Sequence, residues 1–410
     1  MSSDGRRAGG RRQRFHAPLW LRNPAGVALF VAVLFGRLGT LPILPQIGRP
    51  FGGFAAYGFQ THDTAELAYD TPSWWPVVAD GTLRIGDLIA TVDGRPFTSN
   101  AWDAFAVAYD AGRPATLEVI RRATGESLTV AVTPLPITVG HVVDLKFTET
   151  VVGLVFWLLA LLVLRARPGH ITNQVFAIVA VCVAIHRLTI VSGIITDAGL
   201  WVNLPKVGHM VAAGLIGPLL VHLATVFPTV GRHRMRRLLV VLYVLGVLSG
   251  LTLALGRLPL SPGIIQLLDD PVGRVAYMTM LYLLLGGILA LFGRLIWSWR
   301  RERHTRRQQR TTRIILLGLL GSLPAVAVIL MPLVPRLEAA RTAFWRGLDV
   351  RWLMLSIPVA FAYVIIRYQT FKGVSRLFIL IIVLSLSGVL AAFGAWLWQL
   401  NQPAGAIAQR

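Results

Sequence analysis

Cysteine is nearly absent: Cys182 is the only one among 410 residues, and with a single thiol neither an intrachain disulfide nor a cysteine-rich metal site is possible. Charge is scarce as well. Only 14% of residues are charged against 55% hydrophobic, and the mean hydropathy is +0.63. A water-soluble fold cannot hide that much apolar sequence behind so little polar surface, whereas a bilayer accepts it directly. The composition therefore gives a polytopic α-helical membrane protein. Lysine is almost missing, with Lys146, Lys206 and Lys372 the only three among 40 basic residues, a skew without functional meaning of its own.

Several catalytic signatures are also lacking. No His-Glu-x-x-His occurs, so the paired histidines and general-base glutamate of an intramembrane zinc protease are missing. No Gly-x-Ser-x-Gly elbow is present, and no lysine falls within an expected span to serve a Ser–Lys pair. The intramembrane histidines His186, His209 and His222 have no partner at ligand spacing within their own helices. The expectation is a non-enzyme with no catalytic residues, no metal and no cofactor.

What is present is a net charge of +21 with an uneven distribution. Between His62 and Val142 ten acidic residues face five arginines, so the soluble-looking stretch is acidic and nucleic acid is excluded as a partner. The positive excess sits in collars beside apolar runs, where it sets membrane orientation. Residues 1–24 carry Arg6, Arg7, Arg11, Arg12, Arg14 and Arg22 among Gly, Ser and Gln, the composition of a disordered cytoplasmic tail. An apolar run over 25–45 reads as a first, uncleaved transmembrane helix.

Further runs recur at about 148–164, 171–195, 207–228, 238–256, 275–298, 314–334, 352–367 and 377–399, giving about nine spans, eight of them in a bundle over 147–400, with a short tail at 401–410. With the N-terminus inside, the inner turns carry the arginine clusters at Arg232 to Arg237 and Arg300 to Arg313, as the positive-inside rule requires. One outer turn dissents, with Arg336, Arg341, Arg346 and Arg351. An interfacial helix with snorkelling arginines and a misassigned seventh and eighth span are both open there.

Residues 46–146 amount to one small α+β domain. Leu88 to Val92 alternates as a strand, Asp93-Gly94 supplies a tight turn, and Ala115 to Arg121 and Ser127 to Val132 pair across Ala123 to Glu126. Thr98 to Asn100 caps a helix whose Trp102, Phe105, Ala106 and Tyr109 share one face, and Gly112 closes it. The Gly86-Asp87-x-Ile89 and Val92-Asp93-Gly94 pieces, followed by a capped helix and a strand ending in Arg121, resemble bacterial PDZ domains. The resemblance implies an extracytoplasmic peptide or protein C-terminus bound as an added strand beside the helix that carries Trp102, with its carboxylate on a Φ-Gly-Φ loop. Tyr57-Gly58-Phe59 matches that loop, and Gly52-Gly53-Phe54 competes for the role. Thr71-Pro-Ser-Trp-Trp-Pro76 departs from the family's small-residue stretch, and its tryptophans read equally as membrane anchors or as ligand contacts. Asp87 and Asp93 read as turn residues rather than as chemistry.

The run His222 to Pro228 before a basic loop, and Ile357 to Phe371, are similar to the multi-span sensory region of bacterial membrane histidine kinases. No phosphoacceptor-histidine segment or ATP-binding box follows residue 399, so that resemblance implies a sensory input region and not a kinase, with either a separate cytoplasmic signalling protein as its output or a kinase lost by truncation. Within the spans, Arg37, Glu149, His186 and Arg187 lie toward the outer ends. Charge in hydrocarbon must be paired or reach water. Glu149 thus either pairs with Arg37 or Arg187, coupling the small domain to the bundle, or each charge snorkels alone. The expected function is an inner-membrane sensor in contact with lipid. A docking scaffold, or a transporter or lipid-modifying protein with a PDZ-like lid, is the alternative.

Overall fold

Alternation of apolar and polar residues sets the first half of the fold. The structure, a computed structural model, describes residues 28, 47–48, 50–51, 65–66, 76–84, 87–96, 107–108, 110–121, 124–133, 135–166, 170–189, 200–227, 235–255, 272–301, 306–330, 333, 350–358 and 360. In chain order the small unit holds β1 (Pro50–Phe51), β2 (Ala65–Glu66), α1 (Pro76–Ala79), β3 (Leu88–Val92), β4 (Arg95–Pro96), β5 (Ala115–Ile120), β6 (Ser127–Val132) and β7 (Leu135–Pro136). β5 points Ala115, Leu117 and Val119 inward and Thr116 and Glu118 outward, as period two demands. In β3 the buried residues are instead Ile89 and Val92, three apart. A register shift between Ile89 and Thr91 against β5 accounts for this, because a bulge adds one residue and resets which face is inside.

The antiparallel sheet runs β2-β3-β5-β6, with β4 beside β2 on the same edge of β3, while β1 and β7 form a separate pair. Leu83, Ile89, Val92, Ala108, Ala115, Leu117, Val119, Val130 and Val132 form its core. Asp93 and Gly94 adopt φ of 50° and 73° between β3 and β4, the double left-handed turn that matches strand twist in a two-residue hairpin. Gly125 turns β5 into β6, with φ 71°. The boundaries of β3, β5 and β6 agree with those read from the sequence to within a residue, while the two-residue strands β1, β2, β4 and β7 are not among those read there. Of the expected helix over 98–112, the described part is Val107, Ala108 and Asp110, with Ala108 in the core and Gly112 at φ 62° after it.

Two residues after β7 the chain enters α2 (Val139–Ala166), ahead of the expected bundle boundary at 147, and Thr138 caps it through Oγ1, which accepts from His141 N at 3.2 Å. Then follow α3 (Ile171–Leu188), α4 (Leu200–Val226), α5 (Arg236–Leu255), α6 (Gly273–Arg301), α7 (Arg306–Leu330) and a 3₁₀ helix (Val350–Leu355). Among the described residues five helices, α2 to α6, are long and apolar enough to span a bilayer, and α7 adds a shorter apolar stretch over Thr312–Ala327. Of the expected span over 25–45 only Ala28 is described, and the expected span over 377–399 lies outside the described residues.

α3 is the most buried of the five, with 67% of its spanning stretch buried against 22% for α5 and α6. In lipid no hydrophobic force drives helices together, so close backbone approach through small residues does the packing. Gly214 and Gly246 face each other across the α4–α5 crossing, and Gly217 and Gly287 do so across α4 and α6, each leaving no room for a Cβ. Side-chain hydroxyls and amides tie other ends: Thr172 Oγ1 donates to Val226 O at 2.8 Å, Asn173 Nδ2 to Val163 O at 3.2 Å, and Ser356 Oγ to Gly318 O at 2.7 Å.

Candidate functional site

Two places combine polar side chains with a position that can act. The first is the β3–β4 turn. Asp93 Oδ1 accepts from Thr116 N at 2.7 Å, Asp93 N donates to Thr116 O at 2.7 Å, and Arg113 Nη2 donates to Oδ2 at 2.8 Å. The Arg113 guanidinium holds the Asp93 carboxyl below its usual value of 3.8, and Asp93 in turn raises Arg113. Asp87 is buried; its Oδ2 accepts from Arg84 N at 2.8 Å and from Arg121 Nη2 at 3.3 Å. Arg121 also donates to Thr82 O at 2.9 Å, so this arginine clamps the Leu83 segment onto the end of β5. Both aspartates hold turns, and Gly94 serves the hairpin; Gly86, Tyr57, Gly58, Phe59 and Trp102 lie outside the described residues. Among the described residues β2, which follows the Tyr57-Gly58-Phe59 segment in the chain, is an edge strand of the sheet.

The second is inside the bundle. Gly153 on α2 sits against Leu188 and the Ala184 carbonyl of α3, where an added Cβ would meet Leu188 Cγ at 2.7 Å. This contact lets the two helices close, and one turn before it Glu149 meets Arg187. Arg187 Nη1 donates to both carboxylate oxygens, at 3.3 and 3.2 Å, with the residues 6% and 3% exposed. Nη2 donates to Met354 Sδ of the 3₁₀ helix at 2.9 Å, while Arg187 Nε has no hydrogen-bond partner among the described residues. Of the two partners considered for Glu149, the structure brings Arg187 to it; Arg37 lies outside the described residues.

Around this pair the polar groups continue. The His186 and His209 rings stack with centroids 4.3 Å apart, and His209 Nδ1 donates to His186 O at 2.8 Å, tying α3 to α4. Lys146, Thr148 and Thr189 are buried nearby in sequence on α2 and at the end of α3. The apolar helical stretches begin at Lys146 and Leu204, so Lys146 and Lys206 belong to spanning helices, a correction to the expectation that the spans lack lysine. The helices start a few residues earlier than the apolar runs, because helix geometry continues through isolated polar residues. His222 and Tyr243 form a further clasp, Nδ1 to hydroxyl at 2.9 Å, between α4 and α5. Among the described residues no group of three or more His, Cys, Asp or Glu is arranged to hold a metal ion.

Spacing along one helix finds Glu149, His186 and Arg187 as costly intramembrane groups, yet it cannot find the roles of His209, Tyr243 or Met354. Their partners lie 21 to 167 residues away. The available signal is that each is polar or polarisable inside an otherwise apolar helix. Comparison with known protein families, with curated proteins and with solved structures returns no match for this chain.

Proposed function

We propose that this chain is a membrane sensor of a bacterial inner membrane, in which a PDZ-like extracytoplasmic unit binds a peptide or protein C-terminus and α2 passes the event into the helix bundle. The observation that carries this reading is the join. β7 leads within two residues into α2, and the same helix delivers Glu149 to its buried partner Arg187. A small tilt of the sheet unit therefore acts on an ion pair whose rupture in an apolar interior is costly. Ligand binding then shifts the population between two bundle packings, provided that the ligand prefers one of them.

The edge position of β2, separated from Tyr57-Gly58-Phe59 by five residues of chain, supports strand addition: its outer backbone groups are where an incoming strand pairs, and a glycine at 58 carries no Cβ to shield backbone N–H groups from a carboxylate. Arginine collars at Arg165 and Arg167, Arg232 to Arg237 and Arg300 to Arg313 support an inner-side N-terminus. Under this reading the chain is not an enzyme, and a separate cytoplasmic protein reads the bundle.

The test is selection of C-terminal peptides on the full-length chain in nanodiscs, followed by amide hydrogen exchange. A selected peptide with a free carboxylate should change protection in both residues 88–120 and residues 139–166, and its amidated form and the Gly58→Asp variant should abolish both changes. Binding that alters only the sheet unit makes the chain a docking scaffold. A carboxylate-indifferent response removes the PDZ-like reading.

A further inference from the structure

Among the described residues an exposed surface of the bundle runs along α6 and α7 and changes character at one end. On α6, Val275, Tyr282 and Leu289 are 61–63% exposed and Ile296 follows at 37%. Their seven-residue spacing keeps them on one face of the helix, drifting only about 20° per step. That stripe ends beside Trp297 and Trp299, both exposed, and then Arg300, also exposed. Arg294 lies 4.6 Å from the Trp297 ring, a cation–π contact that fixes the indole at this level. On α7 the order is reversed in sequence but equal in kind: exposed Arg310 and Arg313 precede exposed Leu317 and Leu320, spaced along one face.

The two charged ends are adjacent. Arg301 and Arg306 are joined by five peptide steps, so they lie at most about 18 Å apart, and the two helices pack against each other. From Arg294 to Arg313 the chain holds eight arginines and one glutamate. An acidic soluble partner would match the arginines but would leave the apolar stripes, which belong to bilayer-length helices, without a counterpart. A lipid with an anionic headgroup and two acyl chains matches both parts, with indoles at the boundary where membrane proteins place them.

We infer that the joined ends of α6 and α7 form a binding site for anionic phospholipid, with Arg300, Arg310 and Arg313 on the headgroup phosphates and the two apolar stripes along the acyl chains. The site is independent of peptide binding by the sheet unit.

Native mass spectrometry of the full-length chain, titrated with phosphatidylglycerol and phosphatidylcholine of identical acyl chains, tests it. Phosphatidylglycerol should bind at least about tenfold more tightly. Each arginine beside an anionic surface is worth about fivefold, so R310Q/R313Q should weaken phosphatidylglycerol by roughly 25-fold. R236Q/R237Q, which removes the same charge from the start of α5, should leave it nearly unchanged. Equal affinity for the two lipids, or an equal loss in both double variants, overturns the site. If R310Q/R313Q fails to fold, the wild-type chain still decides: phosphatidylglycerol retention should fall steeply as salt is raised, and salt-independent retention overturns it.

Discussion

Glu149 and Arg187 show how much one contact can matter in an apolar bundle. Removing one partner strands the other charge in a low-dielectric interior, at a cost of about 3–5 kcal/mol. Glu149→Gln should therefore lower stability in a denaturant titration of the detergent-solubilised chain by that order. Glu149→Arg with Arg187→Glu should recover much of the loss, whereas additive losses would mean that the two charges are solvated separately. The Asp93 carboxyl makes a pH statement. Its folded value is depressed by Arg113, so its contribution to stability is complete above the ordinary carboxylate range and disappears as pH falls through the depressed value. Protection of the β3 and β5 amides relative to their intrinsic exchange rates should fall below about pH 4, and Asp93→Asn should be weaker at neutral pH yet lose less on acidification. Both residues are visible in the sequence, Glu149 through the cost of an intramembrane carboxylate and Asp93 through the turn chemistry of an Asp-Gly pair.

At the scale of elements, the glycines divide into two classes that sequence cannot separate. Gly246 lies where a Cβ would come within 2.5 Å of the Gly214 carbonyl oxygen, while Gly293 on α6 meets nothing within 4 Å. Gly246→Ala should push α4 and α5 apart at a cost of about 1–3 kcal/mol, read as a lower melting temperature in detergent. Gly293→Ala should be neutral or stabilising by up to about 1 kcal/mol, because it only removes glycine's backbone freedom. Strands β3, β5 and β6 and their turns are legible from alternation and from Asp93-Gly94 and Gly125. The bulge in β3 is not, since it appears only against the register of β5. Helices α2 to α6 follow from apolar length. Their true starts at Val139 and Leu200 are hidden because Asp144, Lys146, Asn203 and Lys206 interrupt the apolar pattern without interrupting the helix.

For the whole molecule, sequence reading captures the class, a helical membrane protein with a small sheet unit near its start, since mean hydropathy and the position of the acids decide that much. It leaves open which helices touch. The His186–His209 stack and the Arg187–Met354 contact depend on α3 lying between α2 and α4 with the 3₁₀ helix beside it, an arrangement that no local periodicity encodes. That central place of α3 also bears on its one thiol. Cys182 is buried in the bundle core, so an alkylating reagent can reach it only when neighbouring helices part. With no other thiol in the chain, the rate of its modification is an intrinsic clock for bundle opening. The native protein should stay unlabelled for long periods in nanodiscs, Glu149→Gln should label faster, and an effector that shifts the helices should change the rate without any reporter group having been introduced.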